Sequence, residues 1–288
     1  MIKDNNLRDI QLKSLEILKI FKKFCDNNHL LFYFCGGCCI GTIRHHGFIP
    51  WDDDIDVFMP RDDYEKLGKL WNNQMHDTKY KYCKSSNDVF LRSLISYLSD
   101  EDTTFIKERQ SDLDISHGIR IEIIPLDGCP DSKIKRKIQI MWALIYQLFM
   151  NQEPFTSKGK FYKCISKIFL IITLNWKIRY KIAKFAEKRM TKYKISDCKK
   201  ITELTTRYQY MVNEYPKEIF EKAVFRKFEG ELMPIPVGYD KYLTMAFGDY
   251  MKLPPKEKQS PKHEAIKIDI HKSYKNYKGI FYCKANSK

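Results

Sequence analysis

"PWDDDIDVFMPRDD", residues 50 to 63, sets four acids, Asp52, Asp53, Asp54 and Asp56, within five positions and threads Ile55, Val57 and Phe58 among and after them. The apolar residues predict a buried strand over residues 54 to 59, broken at Pro60 and followed by a helix with acids in its first turn. On an extended chain the period of two puts Asp52, Asp54 and Asp56 on one face and Asp53, Ile55 and Val57 on the other. Alternate residues lie about 6.6 Å apart, so neighbouring carboxylates can lean onto one cation or onto two adjacent ones. Without a cation, two carboxylates ~4 Å apart repel by about 4 kcal/mol at an effective dielectric of about 20. Oxygen-only donors favour Mg2+ or Mn2+. A calcium EF-hand loop matches at its first, third and fifth positions but fails at the sixth, where Val57 replaces glycine, and at the twelfth, where Asp63 replaces glutamate.

Upstream, Leu7, Ile10, Ile17, Phe21 and Phe24 recur at helical spacing, and "DNNH" ends that helix. "LLFYF" (30 to 34) reads as a short strand, followed by Gly36-Gly37 and a helix that stops at Gly47. Strand, glycine turn and helix together let backbone N–H groups approach a phosphate at the positive end of a helix. Downstream, "KYKYC" (79 to 83) is a further candidate strand, and "GIRIEIIPL" (118 to 126) alternates with Arg120 and Glu122 on one face, ending at Pro125 and an Asp127-Gly128 turn. Glu122 adds a third acid on a β-run to the Asp-x-Asp strand and the glycine pair, a phosphate-plus-metal constellation.

The chain has 288 residues, 43% of them hydrophobic, which is ample for a core. Its formal charge of +15 calls for an anionic partner or surface. No aromatic-basic RNA motif or DNA-reading helix is present, so nucleic acid is not the expected partner. Nine cysteines and an N-terminus unlike a secretory signal point to a reducing cytoplasm. Cys35 and Cys38 form a lone C-x-x-C with no second pair and read as packing residues. No apolar run reaches the ~20 residues that span a bilayer. Two hydrophobic segments, 138 to 150 and 161 to 178, are flanked by lysine and arginine around a Pro/Ser/Gly loop. They read as a buried helical hairpin, or as helices lying in a membrane interface on the inner face of the cytoplasmic membrane. A charged helix is expected near 181 to 194.

"GGCCIGTIRHHGFIPWDDDIDVFMPRDDY" closely resembles the signature of the LicD family of phosphocholine transferases, "GIRIEIIPLDG" that family's next block, and "PIPVGYDKYLTMAFGDYMKLPP" its C-terminal block. The resemblance covers residues 7 to 263 and implies an α/β (α+β), nucleotidyltransferase-like small mixed sheet flanked by helices. A catalytic core over 1–130 would then precede a hydrophobic helical region over 131–200 and a segment over 201–288 that packs back on the core. It implies Asp54 and Asp56 as the metal pair, Glu122 as the third catalytic and metal-binding carboxylate, and Gly36, Gly37 and Cys38 as the phosphate- and donor-binding turn. Cys38 stands where a serine or threonine is usual, Glu122 where aspartate is common, and Phe247 where tyrosine is usual. Arg44 is a candidate phosphate donor or a helix-dipole partner. Trp51, Asp53 and Asp127 are candidate accessory residues, Trp51 by stacking on a base or choline and Asp127 by shaping its turn. The implied reaction transfers phosphocholine from a CDP-linked donor, CDP-choline or a relative, to a sugar hydroxyl of a glycan or lipid-linked glycan, releasing CMP. The alternative is a nucleotidyltransferase that makes such a donor and releases pyrophosphate.

Overall fold

Leu7, Ile10, Ile17, Leu18, Phe21, Phe24 and Cys25 are all buried along one face of the helix α1 (Asp4–Asn27) in the computed structural model of this chain, which describes residues 4–154, 160–173, 175–261 and 265–284. Two compact units contain the chain. One comprises Met1–Cys83, Ser96–Ile124 and Glu218–Lys288, the other Lys84–Ile95 and Pro125–Lys217.

In the first unit β1 (Tyr33–Phe34) leads into α2 (Gly36–Arg44), and β2 (Asp56–Pro60) into α3 (Arg61–Gln74). There follow β3 (Tyr80–Cys83), β4 (Ser96–Asp100), β5 (Thr104–Lys107) and β6 (Ile119–Cys129). The strands order as β1-β2-β6-β4-β3, with β1 antiparallel to β2 and β4 antiparallel to both β3 and β6. β6 is therefore central, and the Glu122 N–H donates to the Ile55 carbonyl at 2.8 Å. Pro60 and the acids Asp62 and Asp63 start α3 as expected; Tyr64, Leu67 and Trp71 form its buried face. The fold is mixed α/β.

Three local expectations change. The strand in "LLFYF" is only Tyr33–Phe34, and β2 begins at Asp56, so Asp52 to Ile55 are not strand. Period-two alternation therefore does not govern those residues. Nor does β6 end at Pro125. Proline removes one ladder donor, and the strand changes partner there: β4 pairs it up to Ile123, whereas Asp127 and Gly128 pair with Thr202 and Ile201. The expected Asp127-Gly128 turn is thus continuous strand. Gly128 belongs there because a Cβ would lie 2.7 Å from the Lys194 carbonyl oxygen.

The second unit holds that far end of β6 with α4 (Lys133–Asn151), α5 (Lys160–Ile172), α6 (Trp176–Met190), β7 (Lys200–Thr202), α7 (Tyr208–Met211) and β8 (Tyr215–Pro216). Ala143, Tyr146, Phe149 and Met150 of α4 share a core with Ala183, Ala186 and Met190 of α6. The segment 161 to 178 is not one helix: α6 opens at Trp176, where the Asn175 side chain accepts from the Lys177 N–H, and runs to Met190 where 181 to 194 was expected. α4 accordingly packs on α6 as its main partner, and the hydrophobic pair is not a simple hairpin. Residues 155–159 of the expected Pro/Ser/Gly loop lie outside the described residues, as does Leu174.

The chain returns to the first unit with the hairpin of β9 (Ala223–Phe228) and β10 (Glu231–Pro236), the helix α8 (Tyr239–Phe247), and β11 (Ala265–Asp269), which pairs antiparallel with β5.

Candidate active site

Asp52 is placed from beneath and from the side. Gln11 of α1 is buried, and its side-chain amide donates to the Asp52 carbonyl at 2.8 Å; the Asp52 N–H in turn donates to the Ile49 carbonyl at 2.9 Å, closing a turn. Glu229, between β9 and β10, accepts from the Phe48 N–H at 3.1 Å and from Arg8 at 2.6 Å, and its own N–H donates to the His46 carbonyl. These bonds hold the loop from residue 46 to 52.

The carboxylates gather where the loop enters β2. Ligand oxygens of Asp52, Asp53 and Asp54 all come within 4.8 Å of one another. Asp53 thus joins Asp52 and Asp54, contrary to the expectation that it faces away, because the backbone there is not extended strand. Asp56 follows on β2 with Oδ1 enclosed and lacking a hydrogen-bond partner among the described residues. Its carboxyl is pushed well above the ordinary range, first by burial, then by the charges of Asp54, Glu122 and Asp52. Asp54, Asp56 and Glu122 are thereby brought into one electrostatic cluster.

Cations complete it. Lys107 of β5 donates to Glu122 Oε1 at 3.3 Å, and Arg120 donates to the same oxygen through Nε at 3.2 Å and Nη2 at 3.0 Å. Arg120 and Glu122 share a face of β6, as their spacing predicts, and the guanidinium stacks over Tyr97 at 4.3 Å. Burial and Arg120 lower the Lys107 pKa, against the pull of Glu122 and Asp54. Asp53, Asp54, Lys107, Arg120 and Glu122 line one cleft with Ser14 and Ile10 of α1. The Ser14 hydroxyl is buried without a hydrogen-bond partner among the described residues.

The glycine pair is engaged by the protein itself. Gly36, with φ of +49°, donates its N–H to the Tyr242 hydroxyl of α8 at 3.0 Å. Gly37 makes room for Asp52: a Cβ there would fall on the Asp52 Oδ2 atom. The turn thus seats a carboxylate against the start of α2. Cys38 is buried under the same loop, its thiol 3.9 Å from the Asp54 carbonyl and pushed up by burial and by Asp52, Asp56 and Asp54.

Other candidates have other partners. Arg44 ends α2, opposite the glycines, and donates to the Tyr250 carbonyl at 2.7 Å and the Lys252 carbonyl at 3.3 Å, so it pins a loop. Trp51 is half-buried with its ring 6.4 Å from that of His45. Asp127 is buried in the second unit, paired with Thr202. Sequence reasoning missed Lys107, Ser14 and Gln11. Lys107 had only its place after the apolar Phe105 and Ile106 as a signal, and one lysine among 51 basic residues carries little.

The donor set suits a hard divalent ion: the clustered carboxylates of Asp52, Asp53 and Asp54, and next along the chain Asp56, whose enclosed Oδ1 has no hydrogen-bond partner among the described residues. The family profile described as "LicD/FKTN/FKRP, nucleotidyltransferase domain" matches residues 29–108, which include the glycine pair, the acidic loop and Lys107, while Glu122 lies beyond the matched range. Over 275 residues the chain is 30% identical to a lipopolysaccharide cholinephosphotransferase LicD from Haemophilus influenzae, covering 91% of this chain and 97% of that protein.

Proposed function

We propose that this chain, which belongs to the LicD family, transfers phosphocholine from CDP-choline or a related CDP-linked donor to a sugar hydroxyl of a cell-surface glycan precursor. The observation that carries the reading is the enclosed, partnerless Oδ1 of Asp56 among Asp54, Glu122 and Asp52, beside Lys107 and Arg120. Such an arrangement is costly without bound ligands and well suited to a diphosphate with its cation.

Asp54, Asp56 and Glu122 would hold Mg2+ or Mn2+, which when bound neutralises diphosphate charge. Lys107 and Arg120 bind the donor's non-bridging phosphate oxygens as charge-assisted donors. The acceptor oxygen forms a bond to the choline-bearing phosphorus as the bond from that phosphorus to the bridging oxygen breaks, and CMP leaves with the electron pair. The hydroxyl proton passes to a carboxylate of the cluster, and where that carboxylate is Glu122 the metal is left to Asp54 and Asp56. Positioning and charge do most of the work. Gly37 serves by admitting Asp52, and a lipid-linked acceptor would place the enzyme at the inner face of the cytoplasmic membrane.

The family description as a nucleotidyltransferase domain favours a second reading, synthesis of the activated donor from a nucleoside triphosphate. A panel of CDP-linked donors, run beside CTP with phosphocholine, each with Mg2+ and with and without a glycan-lipid extract, separates the two. Acceptor-dependent CMP is the expected product, and pyrophosphate from CTP with no CMP would replace the first reading by the second.

A further inference from the structure

The second unit carries a surface that the transfer reaction does not use. On α6, Lys177, Lys181, Lys184 and Lys188 form one row at helical spacing, and Ile178, Ile182, Phe185 and Arg189 form the adjoining row. The lysines are exposed, and so are Ile178 and Phe185, at 50% and 54%. α4 widens the apolar row, since the Trp142 ring meets Phe185 edge-on at 5.5 Å and Arg189 lies 5.9 Å from both. α5 adds Phe169 and Ile172, the latter 74% exposed.

The charge on these helices is one-sided. α4, α5 and α6 carry four, three and six lysines and arginines, and their single acid is Glu187, which pairs with Lys184. A solvated surface intersperses both signs, and protein interfaces are depleted in lysine. Large apolar side chains beside rows of lysine are the composition of helices that lie at a lipid boundary, with stems along the apolar layer and ammonium groups at the headgroups. No helix among the described residues is long and apolar enough to cross a membrane.

We infer that the exposed face of α4, α5 and α6 docks on an anionic lipid bilayer, with Ile178, Phe185 and Trp142 at the acyl boundary and the α6 lysines among acidic headgroups. The inference deepens the reading of a lipid-linked acceptor, yet lipid binding can be measured without catalysis.

The test is sedimentation of the full chain with vesicles of phosphatidylcholine alone and of phosphatidylcholine with about 30% phosphatidylglycerol, where each lysine near an anionic surface is worth about fivefold in partitioning. Binding to the anionic vesicles is expected, at least about tenfold weaker to neutral ones and at high salt. The pair Ile178→Ser and Phe185→Ser, and separately Lys177→Gln with Lys181→Gln and Lys188→Gln, should each lose most of that binding. Thermal unfolding and CMP release in detergent-solubilised extract should stay as in the unmodified chain. Wild-type protein that ignores anionic vesicles, or variants that bind as well as wild type, would overturn the inference. Lipid-free self-association abolished by the apolar pair would assign the face to a second copy and overturn it too. Vesicle binding without CMP release from any donor would leave the membrane face standing and remove the transferase reading.

Discussion

Lys107 Nζ lies 3.3 Å from Glu122 Oε1, joining β5 to the central strand at the floor of the acidic cleft. A cation is thus already stored where a donor phosphate would arrive. Lys107→Met is expected to cut kcat/KM for CDP-choline about 10- to 100-fold, the equivalent of losing one hydrogen bond to a charged group, with most of the change in KM. Lys107→Arg should recover part of it. Steady-state kinetics of CMP release on the three proteins checks this.

Asp56→Asn and Asp54→Asn should each lower CMP release by about a hundred- to a thousandfold, the scale on which removal of one preorganised electrostatic group acts. In metal-free buffer Asp56→Asn should melt no lower than wild type, because the amide ends the repulsion from Asp54, Glu122 and Asp52. The sign of the pH effect follows from the raised pKa. Folding disfavours the charged form of Asp56, so its contribution worsens as pH climbs from the ordinary value of 3.8 toward the raised folded value. Wild-type stability minus that of Asp56→Asn, measured by denaturant titration without metal, should therefore fall as pH rises.

Mg2+ should raise the melting temperature and EDTA should reverse the rise. At a concentration of about 100 times Kd the gain is about 2.7 kcal/mol, or several degrees for a chain of this size. Loss of the shift in Asp54→Asn and Asp56→Asn, followed by differential scanning fluorimetry, locates the ion without recourse to turnover.

Glu229 gives the opposite pH dependence. Its hydrogen bond from Arg8, with support from the Phe48 N–H, holds its carboxyl below the ordinary value of 4.5 while burial opposes them. A depressed carboxylate stabilises above its unfolded pKa and loses that contribution as pH falls through the folded value. Arg8→Met should therefore be less stable than wild type at pH 7, with the gap narrowing below about pH 4. Urea midpoints across that range provide the measurement.

Gly37→Ala should displace the Asp52 carboxylate, because the added methyl occupies its position. Lower melting temperature and lower activity are expected together. Adding Asp52→Ala should restore much of the stability but not the activity, a non-additive pair readable in a double-mutant cycle.

α1, α3 and the shared face of Arg120 and Glu122 were legible because their spacing reflects burial on one side of a regular element. Asp56 and Glu122 could be grouped because a carboxylate on an otherwise apolar β-run is costly to bury unless a cation meets it, and Asp54 came with Asp56 through the Asp-x-Asp spacing although it lies just outside the strand. Asp53 could not be placed, since a loop held by Gln11 and Glu229 sets its direction and neither residue is near it in sequence. Asp127 was misread for a related reason: Pro125 does interrupt one ladder, but a new partner strand about 75 residues later, Thr202 among it, takes over. Arg44 stood between phosphate donor and helix-dipole partner in the sequence, and its bonds to the carbonyls of Tyr250 and Lys252 depend on chain more than 200 residues away. Lys107 depended on β5 bringing it to Glu122, a matter of tertiary pairing.

The Tyr242 hydroxyl that receives the Gly36 N–H is separated from it by 206 residues, the Arg44 anchor at Tyr250 by 206, and Arg8 from Glu229 by 221. A chain emerging from the ribosome therefore exposes its acidic loop long before the parts that brace it exist, and closing such wide loops is entropically slow. The pocket therefore takes its final form late in the life of each newly made molecule: a polypeptide released early at residue 230 would carry every acidic side chain of the cleft, with Gln11 and Glu229 to hold their loop, but neither Tyr242 to receive the Gly36 N–H nor the Tyr250 carbonyl to anchor Arg44.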